Sequence, residues 1–285
     1  TNRIISFIRK SHAANTPFFA YLAHPMPHVP LFVSEAGDGQ SGDGILGDVI
    51  VEIDRGVGQI LETLKELGID EKTLVVFTSD NGPWLSYGDH AGTTAGLREG
   101  KGTTFEGGIR VPCIARWPGI IPAGRVSGVH WMTIDVLPTI AALIDAPLPE
   151  QTIDGRDATS VLLDEENASP PRPTSAFYYH TGQLEAVRKG RWKLHLPHTY
   201  RTMQGQTPGG DGKPGRYRWD AKIKETLFDL ESDPFERLDV ASAHPDVVLE
   251  LREVAEQWRT RLGDALTDRT GSEVRAAGQI DPPAN

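Results

Sequence analysis

The spacing of apolar residues in the first half of the chain alternates between helical repeats and short continuous runs. Apolar side chains recur at helical spacing from Ile50 to Leu67, and Gly68 follows as a residue suited to ending a helix. The pattern also predicts helical stretches at residues 4–10 and 133–144. Short apolar runs predict buried strands at residues 18–23, 74–79 and 111–117. This order of strands and helices predicts an α/β domain.

The second half of the chain has a different pattern, with short strand-like runs and one long helical repeat. Glu, Asn, Ser and Pro cluster near residues 164–173 and predict a domain boundary there. Beyond it, strands are predicted at residues 176–179, 184–188, 191–196 and 227–230, with a hairpin turn at Lys189-Gly190. Residues 205–215 predict a mobile loop, and residues 247–262 predict a helix. We therefore divide the chain into an α/β domain at residues 1–168 and a small domain at residues 169–285, with antiparallel strands, one helix and a polar tail.

Composition narrows the classes of protein that the chain can represent. A formal net charge of −10 over 285 residues argues against nucleic-acid binding through a broad basic face. No apolar run approaches the roughly 20 residues that span a bilayer. The single cysteine, Cys113, excludes an internal disulfide framework, and its place in a strand predicts a small buried side chain. Neither the oligomeric state nor the compartment follows from these features.

The first candidate for chemistry is Asp80-Asn81-Gly82, directly after the apolar run at residues 74–79. In open α/β sheets, the loops after the carboxyl ends of strands carry the ligand sites. A carboxylate beside an amide offers hard oxygen ligands, which suit Ca²⁺ or Mg²⁺. The alternative is a plain turn in which Asp80 accepts backbone hydrogen bonds.

A second candidate is Lys101, which lies in a glycine-rich signature at residues 100–108. Its glycine neighbours permit a ligand to approach the backbone closely, and its ammonium group can stabilise an oxyanion. The loop at residues 83–108 is long, which in a compact domain usually indicates function. The alternative is an ordinary surface lysine. His28, in a proline-rich loop, is likewise either a catalytic residue or a solvated loop residue.

Three segments together resemble the sulfatase family, in its arylsulfatase-like branch of the alkaline phosphatase superfamily. They are residues 18–30, residues 78–83 and residues 97–108, in the family's order and with family-like gaps. The resemblance implies an alkaline-phosphatase-like sheet flanked by helices, here partial, and a small carboxyl-terminal α+β domain. It also implies sulfate monoester hydrolysis by a hydrated formylglycine at a Ca²⁺ site, with Mg²⁺ as the other possible ion. Asp80 and Asn81 match metal ligands, His28 a general acid and Lys101 a stabiliser of the leaving oxygen.

The sequence departs from the family at the nucleophile. The family's Cys- or Ser-x-Pro-x-Arg motif is absent, since Cys113 is followed by Ile114-Ala115-Arg116. The family's paired aspartates near the amino terminus are missing as well. We therefore expect this chain to be the carboxyl-terminal portion of a longer sulfatase and to be inactive alone. The formylglycine is expected in a segment upstream, and family resemblance suggests a periplasmic or secreted protein.

Three functions are consistent with these observations. The leading one is hydrolysis of an aryl or carbohydrate sulfate, with a sulfated small molecule or glycan as substrate. A phosphomonoester or phosphonate monoester hydrolase of the same superfamily is an alternative. The other is a non-catalytic protein that binds sulfated glycans or Ca²⁺.

Other polar side chains have both a functional and a structural interpretation. His90, on the long loop, is a candidate for contact with substrate. His24 either lines the site or packs, and Glu106 either holds the Lys101 loop or has a purely structural role. Trp192 and His195, with Arg188, are candidates for contact with a sugar or aryl group, the alternative being that Trp192 lies in the core.

Overall fold

A computed structural model gives the fold of residues 1–278. Its helices are α1 (Asn2–Ala13), α2 (Gly44–Glu66), α3 (Glu106–Ile109), α4 (Val136–Leu143), α5 (Thr159–Leu162) and α6 (Pro245–Leu262). Four 3₁₀ turns accompany them at Asp70–Lys72, Leu85–His90, Thr133–Asp135 and Ala265–Thr267. None of the helices in the described range is long and apolar enough to cross a membrane.

The strands form small antiparallel sheets. They are β1 (Val75–Thr78), β2 (Cys113–Arg116), β3 (Thr174–Tyr179), β4 (Gln183–Lys189), β5 (Trp192–His195), β6 (His198–Thr202), β7 (Arg218–Ile223), β8 (Thr226–Asp229), β9 (Gly263–Asp264) and β10 (Arg269–Thr270). One sheet has four strands in the order β3-β4-β5-β8, and the pairs β1-β2, β6-β7 and β9-β10 form the rest. The chain therefore has a mixed α/β fold.

The chain folds into two compact units. The first contains Thr1–Thr93, Arg110–Arg172 and Met203–Tyr217. The second contains Thr94–Ile109, Pro173–Thr202 and the described part of Arg218–Asn285. The sequence predicts residues 94–109 in the first domain and residues 203–217 in the second. In the structure, residues 94–109 belong to the second unit and residues 203–217 to the first, so neither unit is continuous in sequence.

In the first unit, α2 organises the loops that carry candidate residues. The apolar positions of α2 face a small core in which Val49 packs against Val29 and Leu31, and Trp84 and Tyr87 lie against the same cluster. Gly68 follows the helix with a φ of 67°, as expected of a residue that ends it. The helix thus connects the proline-rich loop around residue 28 to the loop after β1.

The second unit is built on the four-stranded sheet and α6. Pro245 begins the helix, where its missing N–H has no partner to lose, and Gly263 follows it with a φ of 81°. The apolar face of α6, including Leu251 and Val254, packs against Leu184 and Leu194 of the sheet. Gly190 has a φ of 56° between β4 and β5, which confirms the predicted hairpin turn.

Three predictions about the first half are wrong. Residues 18–23 form no strand, because no other described segment pairs with them, and Tyr21 is 84% exposed. β1 and β2 form as predicted, but β1 has only β2 as a neighbour, so Phe77 is 39% exposed instead of buried. Cys113 at the start of β2 is exposed for the same reason.

Candidate functional site

Asp80 and Asn81 lie where the sequence predicted them, immediately beyond β1. The strand ends at Thr78, whose hydroxyl donates to the carbonyl of Pro112 at 3.0 Å. Ser79 then donates its hydroxyl to the carbonyl of Asn81 at 3.3 Å. This local hydrogen bond closes a tight turn and leaves the two candidate ligand side chains adjacent.

The side chains at this turn have oxygen atoms that fit a hard cation. Asn81 Oδ1 is buried and accepts no hydrogen bond from the residues that the structure describes. The Asp80 carboxylate beside it is exposed. Within residues 1–278, no three His, Cys, Asp or Glu side chains gather as a metal cluster. The turn therefore offers an oxygen-donor pair, which is part of the six to eight ligands that Ca²⁺ takes.

His28 is oriented by its own loop. Its Nδ1 lies 2.8 Å from the carbonyl oxygen of Val29. Because a carbonyl can only accept, Nδ1 carries a proton, and any second proton of the ring resides on Nε2. The ring also meets Trp84 edge to face, with centroids 5.8 Å apart. Trp84 follows Asn81 by three residues, so His28 packs on the same loop that carries Asp80 and Asn81.

His90 ends the 3₁₀ segment of that loop and meets residues 203–217, which we call the glycine segment. The carbonyl of Ser86 accepts the N–H groups of Gly209 and Gly215, at 2.9 and 2.7 Å. A Cβ on Gly212 would lie 3.4 Å from the His90 ring, whose Nδ1 is buried without a hydrogen bond among the described residues. The glycine segment is therefore an irregular loop that is hydrogen-bonded to the His90 loop, and the mobility expected of residues 205–215 stays a prediction.

Burial also affects His24 in the same unit. Its Nε2 is buried and has no hydrogen-bond partner in the described part of the chain. Burial lowers the pKa of this imidazole below its ordinary value, which favours the neutral ring. His24 is thus a neutral, partly buried residue of the proline-rich loop, and the structure gives its Nε2 no polar contact.

Lys101 lies in the second unit, in a turn that precedes α3. Its carbonyl accepts hydrogen bonds from Arg201, from Nε at 3.1 Å and from Nη2. Gly102 follows with a φ of 80°, and a Cβ there would collide with the Arg201 guanidinium. The glycine is needed for this close approach, and the forked contact fixes the backbone from which the lysine side chain projects.

The rest of the signature is buried in the second unit. Glu106 accepts from Lys193 Nζ at 2.9 Å, and its own N–H donates to Glu236 at 2.6 Å. Lys193 Nζ also lies 2.7 Å from the carbonyl of Thr104 and 2.9 Å from Glu236 Oε1. These contacts use all three ammonium donors of Lys193. Glu106 therefore has a structural role, one of the two interpretations that the sequence allows.

The charges in this cluster are mutually stabilised. Burial alone would raise the pKa of Glu236, but Lys193 outweighs it and brings the pKa down to about 2. Burial alone would lower the pKa of Lys193, and the two carboxylates raise it instead. Burial lowers the pKa of His195 to about 3, so this ring is neutral at neutral pH. His195 is fully buried and stacks on Phe105 with centroids 4.5 Å apart, which rules out the predicted sugar contact.

A second buried carboxylate, Glu185, also contacts the signature. Thr104 donates its hydroxyl to Glu185 Oε2 at 2.8 Å. His198 Nε2 lies 3.5 Å from the same oxygen, while His198 Nδ1 donates to the carbonyl of Leu196 at 2.7 Å. Burial raises the pKa of Glu185 to about 7. Glu185 is therefore a group that changes charge near neutral pH inside the second unit.

The predicted site residues divide between the two units. His28, Asp80, Asn81 and His90 belong to the first, where His28 and the loop after β1 meet through Trp84. Lys101 belongs to the second. No motif in the sequence predicts Arg201, Lys193 or Glu236 as supports of the signature. A lysine between Trp192 and Leu194 in a predicted strand is the available signal for Lys193.

Comparison with known proteins gives two family matches along the chain. Residues 1–146 match the family described as sulfatase. Residues 171–278 match the family described as the C-terminal region of aryl-sulfatase. The two matches follow each other in chain order and cover most of the sequence.

Curated relatives match over nearly the whole chain. Human arylsulfatase A is 38% identical over 260 residues, which are 88% of this chain and 50% of the relative. The N-acetylgalactosamine-6-O-sulfatase of Bacteroides thetaiotaomicron is 35% identical over 277 residues, 92% of this chain and 50% of that protein. The chain therefore spans about half the length of these relatives.

Solved structures also match most of this chain with about half of their own length. The chain superposes with a TM-score of 0.79 on the PsFucS1 sulfatase from Pseudoalteromonas sp., at 27% identity over 90% of this chain and 50% of the other. A Bacteroides thetaiotaomicron protein solved in work on the metabolism of multiple glycosaminoglycans gives a TM-score of 0.75 at 32% identity. That match covers 91% of this chain and 53% of the other.

Proposed function

The chain belongs to the sulfatase family and has its alkaline-phosphatase-like fold, and from this premise we propose that it forms part of an enzyme that hydrolyses sulfate monoesters. The substrate is an aryl or carbohydrate sulfate, the two classes named among its relatives. The observation that carries the proposal is the local geometry of the family's residues: Asp80-Asn81 at the end of β1, His28 packed on that loop, and Lys101 on a backbone held by Arg201.

A bound Ca²⁺ or Mg²⁺ would neutralise charge on the sulfate oxygens and orient the ester. Asp80 and Asn81 would hold it, since the Asp80 carboxylate is exposed and the buried Asn81 Oδ1 accepts no hydrogen bond among residues 1–278. Two side chains supply only part of the shell that Ca²⁺ takes, so other oxygen atoms must complete it.

His28 is the proton donor in this proposal. Because His28 Nδ1 donates its proton to the Val29 carbonyl, the proton that His28 can transfer is the one on Nε2. A nucleophile from outside these 285 residues would take the sulfuryl group as the sulfur–oxygen bond breaks, and the His28 proton passes to the bridging oxygen, so that the alcohol or phenol leaves. Loss of a proton from the second hydroxyl of that nucleophile would then expel inorganic sulfate. His28 then recovers a proton from solvent.

Lys101 acts through the positive charge of its ammonium group and transfers no proton. Its ammonium group stabilises the negative charge that develops on the leaving oxygen, and its fixed backbone reduces the reorganisation that this requires.

His90 is assigned to substrate contact, because its ring lies on the same loop as Asp80 and is held against the glycine segment. The nucleophile is a formylglycine that comes from outside these 285 residues, which lack the motif that generates it.

The test measures release of inorganic sulfate by the product of the complete reading frame that contains this sequence. Para-nitrophenyl sulfate and N-acetylgalactosamine-6-sulfate represent the two substrate classes. We expect sulfate release that EGTA abolishes and Ca²⁺ restores, and none from the 285-residue chain alone. Release of phosphate from para-nitrophenyl phosphate without release of sulfate would contradict the proposal and favour a phosphomonoesterase.

A further inference from the structure

A β-bulge in the second unit lies opposite Arg201. In the β6-β7 pair, Tyr200 opposes Ala221 and Thr202 opposes Arg218. Between these pairs, β6 has one residue, Arg201, and β7 has two, Trp219 and Asp220. Such bulges occur next to active sites, where they re-aim a side chain. The irregularity therefore lies beside the residue that holds the Lys101 backbone.

Trp219 is one of the two bulged residues of β7. The Arg201 guanidinium lies over its indole ring, with the central carbon 5.7 Å from the ring centroid. The same guanidinium donates to the Lys101 carbonyl through Nε and Nη2. Trp219, Arg201 and the Lys101 turn thus form one continuous chain of contacts within the second unit.

Trp219 leaves part of its indole open to solvent beside that guanidinium. The residue is 57% exposed, while Phe105, Ile223 and Phe228 of the neighbouring core are buried. A single exposed aromatic side chain is common on a protein surface, but an indole beside a cation is suited to amphipathic ligands. The C–H face of a sugar ring is such a surface, and an arginine next to it suits the hydroxyl and sulfate oxygens of a sulfated saccharide.

We propose that Trp219 and Arg201 form a sugar-binding subsite beside Lys101. Trp219 stacks on a sugar ring, and Arg201 is a positioning residue that ties this platform to the Lys101 backbone. The inference rests on the proposed function in taking Lys101 to meet the sulfate ester. It makes a sulfated saccharide the preferred substrate over a small aryl or alkyl sulfate.

The test is calorimetric binding to the 285-residue chain, so it requires no turnover. The probes are N-acetylgalactosamine-6-sulfate, unsulfated N-acetylgalactosamine and inorganic sulfate. We expect Trp219→Ala to weaken binding of both sugars about tenfold, as loss of one aromatic contact does, and to leave inorganic sulfate unchanged. Trp219→Phe retains an aromatic face and should restore most of the sugar affinity. Arg201→Lys loses the planar fork and should also weaken sugar binding.

The control is Leu249→Ala, which truncates an apolar side chain of similar exposure, 59%, on α6 of the same unit. It should bind all three probes as the unmodified chain does. The subsite is refuted if the unmodified chain binds no sugar, or if Trp219→Ala binds the sugars unchanged. Equal losses for the sugars and inorganic sulfate would likewise overturn it. Because no turnover is measured, these results are independent of whether the complete enzyme releases sulfate.

Discussion

Glu185 is the residue whose charge state most directly connects pH with the Lys101 signature. Its carboxylate is buried, accepts from Thr104 and lies beside His198, whose pKa burial lowers. Burial raises the pKa of Glu185 from 4.5 to about 7. The folded chain therefore binds a proton at this group over a pH range in which the unfolded chain has lost it.

The sign of the stability effect follows from that proton. Because the folded-state pKa is raised, the contribution of Glu185 to the free energy of unfolding is fully present below the unfolded pKa. It is lost as the pH rises through the folded-state pKa, and the free energy of unfolding levels off above about pH 7. The loss is on the order of 3 kcal/mol if the whole shift is expressed. Urea unfolding at several pH values from about 5 to 8 measures it.

Glu185→Gln should flatten this dependence, because the amide cannot ionise. Glu250→Gln serves as the matched control, since Glu250 is an exposed residue paired with Lys189. A Glu185→Gln chain that retained the full decline in stability between acidic and neutral pH would show that another group is responsible.

At the level of elements, Lys193 joins β5 to the segment that contains the signature. Its ammonium group on β5 contacts Thr104, Glu106 at the start of α3, and Glu236 after β8. All three side chains of the ion cluster are almost completely buried. The ion pairs and hydrogen bond of Lys193 therefore help to hold the Lys101 turn against the four-stranded sheet.

Lys193→Met should destabilise the chain by about 3–5 kcal/mol, because it leaves two buried carboxylates without their counter-charge. Lys189→Met provides a close comparison, since Lys189 lies on the adjacent strand in an exposed ion pair with Glu250. That change should cost less than about 1 kcal/mol. Equal urea midpoints for the two variants would mean that the buried cluster contributes no more than a surface pair.

At the level of the whole molecule, the sequence predicted elements best where apolar spacing was regular. Helix α6 and the strands of the four-stranded sheet lie close to their predicted positions, and α2 ends as predicted but begins at Gly44, ahead of the predicted Ile50. The pair β6-β7 was missed because residues such as His198, Arg201 and Asp220 give no clear alternation. The predicted strand at residues 18–23 failed because apolar composition alone does not supply a neighbouring strand.

The candidate site was predictable to the extent that its residues follow recognisable local motifs. Asp80 and Asn81 were located by the apolar run before them, and Lys101 by its glycines. Arg201, Lys193 and Glu236 act through contacts with residues about 90 to 130 positions away in sequence, which no local pattern encodes. The domain boundary and the catalytic roles of His28 and Lys101 stay predictions.

The most direct test of the proposed chemistry is the effect of Lys101→Ala on kcat/KM for sulfate release by the product of the complete reading frame. We expect a loss of about 10²–10³, the size of a removed electrostatic stabiliser, with little change in the urea midpoint. Lys72→Ala, at an exposed lysine of the first unit, should retain full activity. Turnover of Lys101→Ala equal to that of the unmodified enzyme would contradict the account.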